Sequence, residues 1–132
     1  MSSVFDIAVS GLRAQSRRLE VSAGNVANVL SLGVHPDPAL AKPAAFAPQR
    51  AAFVSNAYGG VEVKAVPVTP PAYLSLQPNH PDADADGLVP LPNVALEREM
   101  VEQILALRMF EANVKVIQTQ DRMLGALLDI VS

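Results

Sequence analysis

The 132-residue sequence has no cysteine and no tryptophan, and aromatic residues make up 5% of it. Without cysteine there are no disulfides, no thiolate nucleophile and no cysteine-based zinc site. A cysteine-free chain suits the cytoplasm and the periplasm equally, so this absence does not fix a compartment. No window approaches 18 consecutive apolar residues, so no membrane span is expected. Asp6 interrupts the first apolar stretch and the positive charges follow it, so no cleavable secretory signal is expected either, and export would need another route. Net charge is −3, and no Lys/Arg-rich run is interleaved with aromatics, which argues against nucleic acid as a partner. The two histidines, His35 and His80, each adjoin a proline, and no Ser/His/Asp arrangement accompanies them. No catalysis and no cofactor are expected from such a chain.

What is present is apolar content carried by Ala, Val and Leu, in a chain of one domain's length. All 11 prolines lie between Pro36 and Pro92. Proline inside a helix costs about 3 kcal/mol, so the chain divides into two proline-free helical ends and an irregular or β-containing middle. In the first end, residues 1–33, Phe5, Leu12, Leu19 and Val26 recur every seventh residue. Ser3 and Asp6 resemble a capping box, and Gly33 is placed to end the helix in a left-handed conformation. Gly11 and Gly24 each weaken this helix by about 1 kcal/mol, so it needs a partner. In the last end, residues 93–132, Asn93 is the expected N-cap. Met100, Ile104, Leu107, Phe110, Val114, Ile117, Leu124, Leu128 and Val131 then follow at mixed three- and four-residue spacings. At about 1.5 Å per residue this helix would be about 57 Å long, more than a small domain can cover. The expectation is a mainly α fold: two long terminal helices in an antiparallel, coiled-coil-like hairpin, offering further apolar surface to other chains. Arg13, Arg17 and Arg18 read as a solvated face, or as partners for acids on a neighbouring subunit.

Between the ends, residues 34–57 are Pro- and Ala-rich without periodicity and read as an extended linker. Residues 58–92 hold strand signals from Gly59 to Val66, at Ala72–Leu76 and at Leu88–Val89, enough for a small β-hairpin. The stretch NHPDADADG places Asp82, Asp84, Asp86 and Gly87 at positions 1, 3, 5 and 6 of a calcium loop. Position 12 would be Asn93, where such a loop needs a bidentate Glu, and the preceding SLQPNHP is no incoming helix. A tight turn is the favoured reading, with Asp side chains bonding their own backbone. A calcium-responsive module using Asp82, Asp84 and Asp86 is the alternative.

Three segments in chain order carry a family resemblance. VFDIAVSGLRAQSRRLEVSAGNVANVLSLG, with Asn25, Asn28 and Gly33, resembles the N-terminal signature of bacterial flagellar rod, hook and related axial proteins. NHPDADADGLVPLPNV, with His80, Pro81, Asp82, Asp84, Gly87, Pro92 and Asn93, resembles a stretch of the C-type proximal rod family, FlgC. MVEQILALRMFEANVKVIQTQDRMLGALLDI, with Glu111, Ala112 and Asn113, resembles that family's C-terminal helix. Ser31 stands where the family usually has Thr, and Phe110 where it usually has Tyr. The resemblance implies a non-catalytic subunit of the flagellar basal-body rod, which crosses the periplasm. It implies export through the flagellar type III apparatus, and copies of itself and other rod proteins as partners. A rod-like helical adaptor outside the flagellum is the other alternative. The expected assembly surface is the apolar seam of Phe5, Leu12, Leu19, Val26, Met100, Ile104, Leu107, Phe110, Val114, Ile117, Leu124 and Leu128, with Phe5, Leu12, Leu19, Val26, Met100, Leu107, Val114 and Leu128 turned inward.

Overall fold

A computed structural model describes residues 4–33, 45–57 and 59–131. In chain order the elements are α1 (Val4–Ala27), β1 (Gln49–Ser55), β2 (Val61–Pro67), β3 (Ala72–Leu76), β4 (Leu88–Pro92) and α2 (Leu96–Val131). The chain is therefore mainly helical, with two small antiparallel sheets between the helices, β1–β2 and β3–β4.

α1 buries Ala8, Gly11, Ala14, Ser22 and Asn25. These lie three or four residues apart wherever they are adjacent on the helix surface, so they share one face. That face meets α2 in reverse chain order: Ser22 and Asn25 bond Glu99, Arg18 pairs with Glu102, and Gly11 lies against Asn113. Small residues let the two backbones approach closely. A Cβ at Gly11 would stand 2.6 Å from the Asn113 side-chain oxygen, which explains a glycine inside a helix where it costs about 1 kcal/mol of propensity. On α2 the buried apolar residue is Ala106.

The β1–β2 hairpin packs across α1. Val63 is its buried residue, and the Val61 N–H donates to Ser10 Oγ at 3.1 Å. In the second sheet Val89, Pro90 and Pro92 are buried. Pro90 and Pro92 sit opposite Leu74 and Ala72, tolerable because a two-stranded sheet asks half of each strand's N–H groups to bond nothing. The Gly33 N–H reaches the Pro90 carbonyl at 3.4 Å, tying the segment after α1 to β4.

Several expectations are corrected. The first helix ends at Ala27 rather than near Gly33. Asn28 turns its side-chain amide back to the Gly24 carbonyl at 2.9 Å, occupying an acceptor near the helix end, and a turn follows through Ser31. Gly33 is not left-handed; positive φ occurs at Gly59, Gly60 and Gly87 among the described residues. Residues 49–55, read as linker, form β1 and pair with the expected first strand, Phe53 facing Val63. The two strand signals after it pair with each other instead, so there are two sheets rather than one hairpin. Asn93 does not cap α2: its side chain donates to the Pro70 carbonyl and its N–H to the Pro71 carbonyl, while Ala95 accepts the Glu99 N–H. The expected cap at Ser3 and the first part of the linker, residues 34–44, lie outside the described residues.

Candidate assembly interface

The contact between α1 and α2 is pinned by polar groups. Asn25, buried, donates to the Gln49 carbonyl at 2.6 Å and to Glu99 Oε1 at 2.8 Å. Its own oxygen accepts the Gln49 N–H at 3.0 Å, so one side chain ties α1 to the start of β1 and to the first turns of α2. Ser22 Oγ donates to the Glu99 carbonyl at 3.2 Å. Arg18 donates to Glu102 from both Nε and Nη2 at 2.6 Å, and its guanidinium lies 5.6 Å from the Phe53 ring centre. Of the three arginines read as a solvated face, Arg18 is thus held within the chain, Arg17 pairs with Glu20 one turn away, and Arg13 is exposed.

The large apolar side chains lie elsewhere. Phe5, Leu19, Met100, Ile104, Leu107, Phe110, Leu124 and Leu128 are exposed, and Leu12, Val26, Val114 and Ile117 are half-buried. None of the twelve fills the seam within the chain. The inward-facing stripe of eight is an expectation for packing between chains, and within the single chain Ala, Gly, Ser and Asn occupy the seam of α1 and α2. Phe5 lines a cavity of about 510 Å³ with Ile117 and Leu124. Val101, Leu105, Met109, Val116, Met123, Leu127 and Ile130 are exposed as well. Successive helix residues are rotated by about 100°, so this set covers several sides of α2 and not one stripe. A helix apolar on several sides belongs in an interior. That signal was present in the sequence, in apolar residues lying off the repeat.

Several of the motif residues hold local structure. Besides Asn25, Asn28 and Gly33, Asn113 abuts Gly11, Glu111 pairs with Arg108 at 3.0 Å and Ala112 is exposed. Around NHPDADADG, His80 Nδ1 accepts the Asp82 N–H, and Asp84 Oδ1 accepts the N–H groups of Asp86 and Leu88 at 3.0 and 2.8 Å. Gly87, at φ 77°, closes the turn, and Pro81 is exposed. An Asp84 oxygen committed to the backbone of its own turn does not support the calcium-loop alternative. Among the described residues no three His, Asp or Glu side chains gather to hold a metal ion, and no helix is long and apolar enough to cross a membrane.

These two helices coincide with two family matches. Residues 5–29 match the model described as flagella basal body rod protein, and residues 86–130 match that of the flagellar basal body rod FlgEFG protein C-terminal region. A flagellar basal-body rod protein FlgC from Yersinia enterocolitica is 46% identical over 89% of this chain and 87% of its own length. The FlgC of Salmonella typhimurium is 42% identical over 92% and 91%, and that of Borreliella burgdorferi 35% identical over 98% and 96%. The chain belongs to the FlgC family of basal-body rod proteins. In this FlgC-family chain the matched segments are the helices that carry both the small-residue seam and the exposed apolar surface.

Proposed function

We propose that the chain is a structural subunit of the flagellar basal-body rod, in its proximal part, and acts by assembly rather than catalysis. The observation that carries this is the apolar surface of α2, with Ile104 59% and Leu128 72% exposed. Burial of such surface between chains contributes about 25 cal/mol per Å². The pairing of α1 with α2 supports the finer reading of an antiparallel, coiled-coil-like hairpin whose outer faces meet neighbouring subunits. Those neighbours are further copies and other rod proteins, stacked through unlike surfaces into a helical shaft across the periplasm that transmits rotation for motility. Export runs through the flagellar type III apparatus. The test is quantitative mass spectrometry of purified hook–basal bodies. Stoichiometric presence with other rod proteins is expected; absence from intact basal bodies would overturn the reading.

A further inference from the structure

At the base of the molecule, a cavity of about 550 Å³ opens between α1, the start of β1, the end of β2 and the first turns of α2. Arg18, Arg50 and Arg98 line it, together with Glu99 and Glu102. Both carboxylates are engaged within the chain, Glu99 by Asn25 and Glu102 by Arg18. Arg50 and Arg98 are exposed at its wall, and no carboxylate among the described residues pairs with either. The cavity thus presents two guanidiniums whose charge is not neutralised, beside polar groups of Thr69 and Asn93.

The β3–β4 hairpin has one end at this cavity, where Ala72 faces Pro92 and Asn93 follows. Its other end, beyond the Leu76–Leu88 pair, carries the turn with Asp84 and Asp86, both exposed. Five residues of strand separate the two ends by about 17 Å. One oxygen of Asp84 accepts two N–H groups of the turn, and the Asp86 carboxylate has no donor among the described residues. An acidic tip and a basic concavity therefore sit at opposite ends of one element, where neither can satisfy the other within the same chain.

We infer that the acidic tip of one copy, led by Asp86, docks into the Arg50/Arg98 cavity of the next copy. This docking rests on the rod-subunit reading above and adds a specific self-contact to it. The charges are complementary, and the arrangement is head-to-tail, so it extends without closing. It also gives the Asp-rich turn a role apart from cation binding.

The experiment co-expresses two differently tagged full-length copies in cells lacking the native gene, one carrying Ala85→Cys beside the intact Asp86 and the other Ala95→Cys in the cavity wall, with Arg50 and Arg98 kept. With no native cysteine in the chain, a short bismaleimide can join two copies of it only through the introduced thiols. The expected result is a cross-linked pair bearing both tags in isolated basal bodies. Both copies present there at normal amounts without a mixed pair would overturn the docking and leave the rod reading intact. Absence of even the unmodified chain from basal bodies would overturn the rod reading itself, and the docking with it. As an independent arm, Asp86→Arg should lower incorporation by about tenfold or more through like-charge contact, and Arg98→Asp in the same chain should restore it. Wild-type incorporation of Asp86→Arg overturns the proposal.

Discussion

Asn25 joins three elements with one side chain, using both the donor and the acceptor end of its amide. The donors go to the Gln49 carbonyl and Glu99, and the acceptor takes the Gln49 N–H. Leu would satisfy none of these groups, and Asp would set a carboxylate against Glu99. Removing the buried Asn25 side chain takes away the partners of the Gln49 N–H and carbonyl and of Glu99, and a buried group left unsatisfied costs about 1–3 kcal/mol. Asn25→Ala is accordingly expected to destabilise the chain by about 2–3 kcal/mol, read as a lowered urea midpoint in circular dichroism. A change below about 0.5 kcal/mol would show that this bridge contributes little.

At the scale of elements, the seam and the outer surface of the helices divide two tasks between two kinds of side chain. Ala8, Gly11, Ala14 and Ala106 bring α1 and α2 together, while Ile104, Leu107 and Leu128 stay outside. Ile104→Glu should therefore leave the folded chain within about 0.5 kcal/mol of wild type. It should cut incorporation into basal bodies by about tenfold or more, since an unpaired charge would be buried between subunits. Ile104→Leu is the control, and wild-type incorporation of the Glu variant would remove Ile104 from the interface. Proline placement made both helices legible in the sequence, and Asp and Gly made the turn before β4 legible. The seam was not, because a seven-residue repeat of Phe, Leu and Val reads as core, whereas Ala, Gly and Asn mark an interface only once a partner helix stands against them. β1 escaped notice because Ala51 and Ala52 dilute the alternation of its Arg50, Phe53 and Val54; its pairing with β2 supplies what the local pattern lacks.

The molecule as a whole is supported unevenly along its length. Bonds between α1, β1 and α2 cluster around Arg18–Asn25 and Glu99–Glu102. α1 begins at Val4, and Phe5 meets α2 near Ile117–Leu124. Every position from Asp121 to Ile130 is exposed, so the last turns of α2 extend with little to pack against. A helical end without tertiary support is marginal in water, and its amides open at low free energy. In dilute solution, amides from about residue 121 onward should exchange rapidly, while those near Ala106 stay protected. The first turns of α1, resting on that same part of α2, should fray with it, so the helical signal of the isolated chain falls short of the full length of α1 and α2. The proposed assembly has neighbouring subunits cover Leu124, Leu127 and Leu128, so in rods protection there should rise to the level of the centre. Hydrogen exchange on the dilute chain and on basal bodies measures both states. Strong helical circular dichroism and protected terminal amides in the dilute monomer would mean that α2 holds its full length alone. Its exposed leucines would then be a preformed docking surface, and assembly would proceed without the ordering of chain ends.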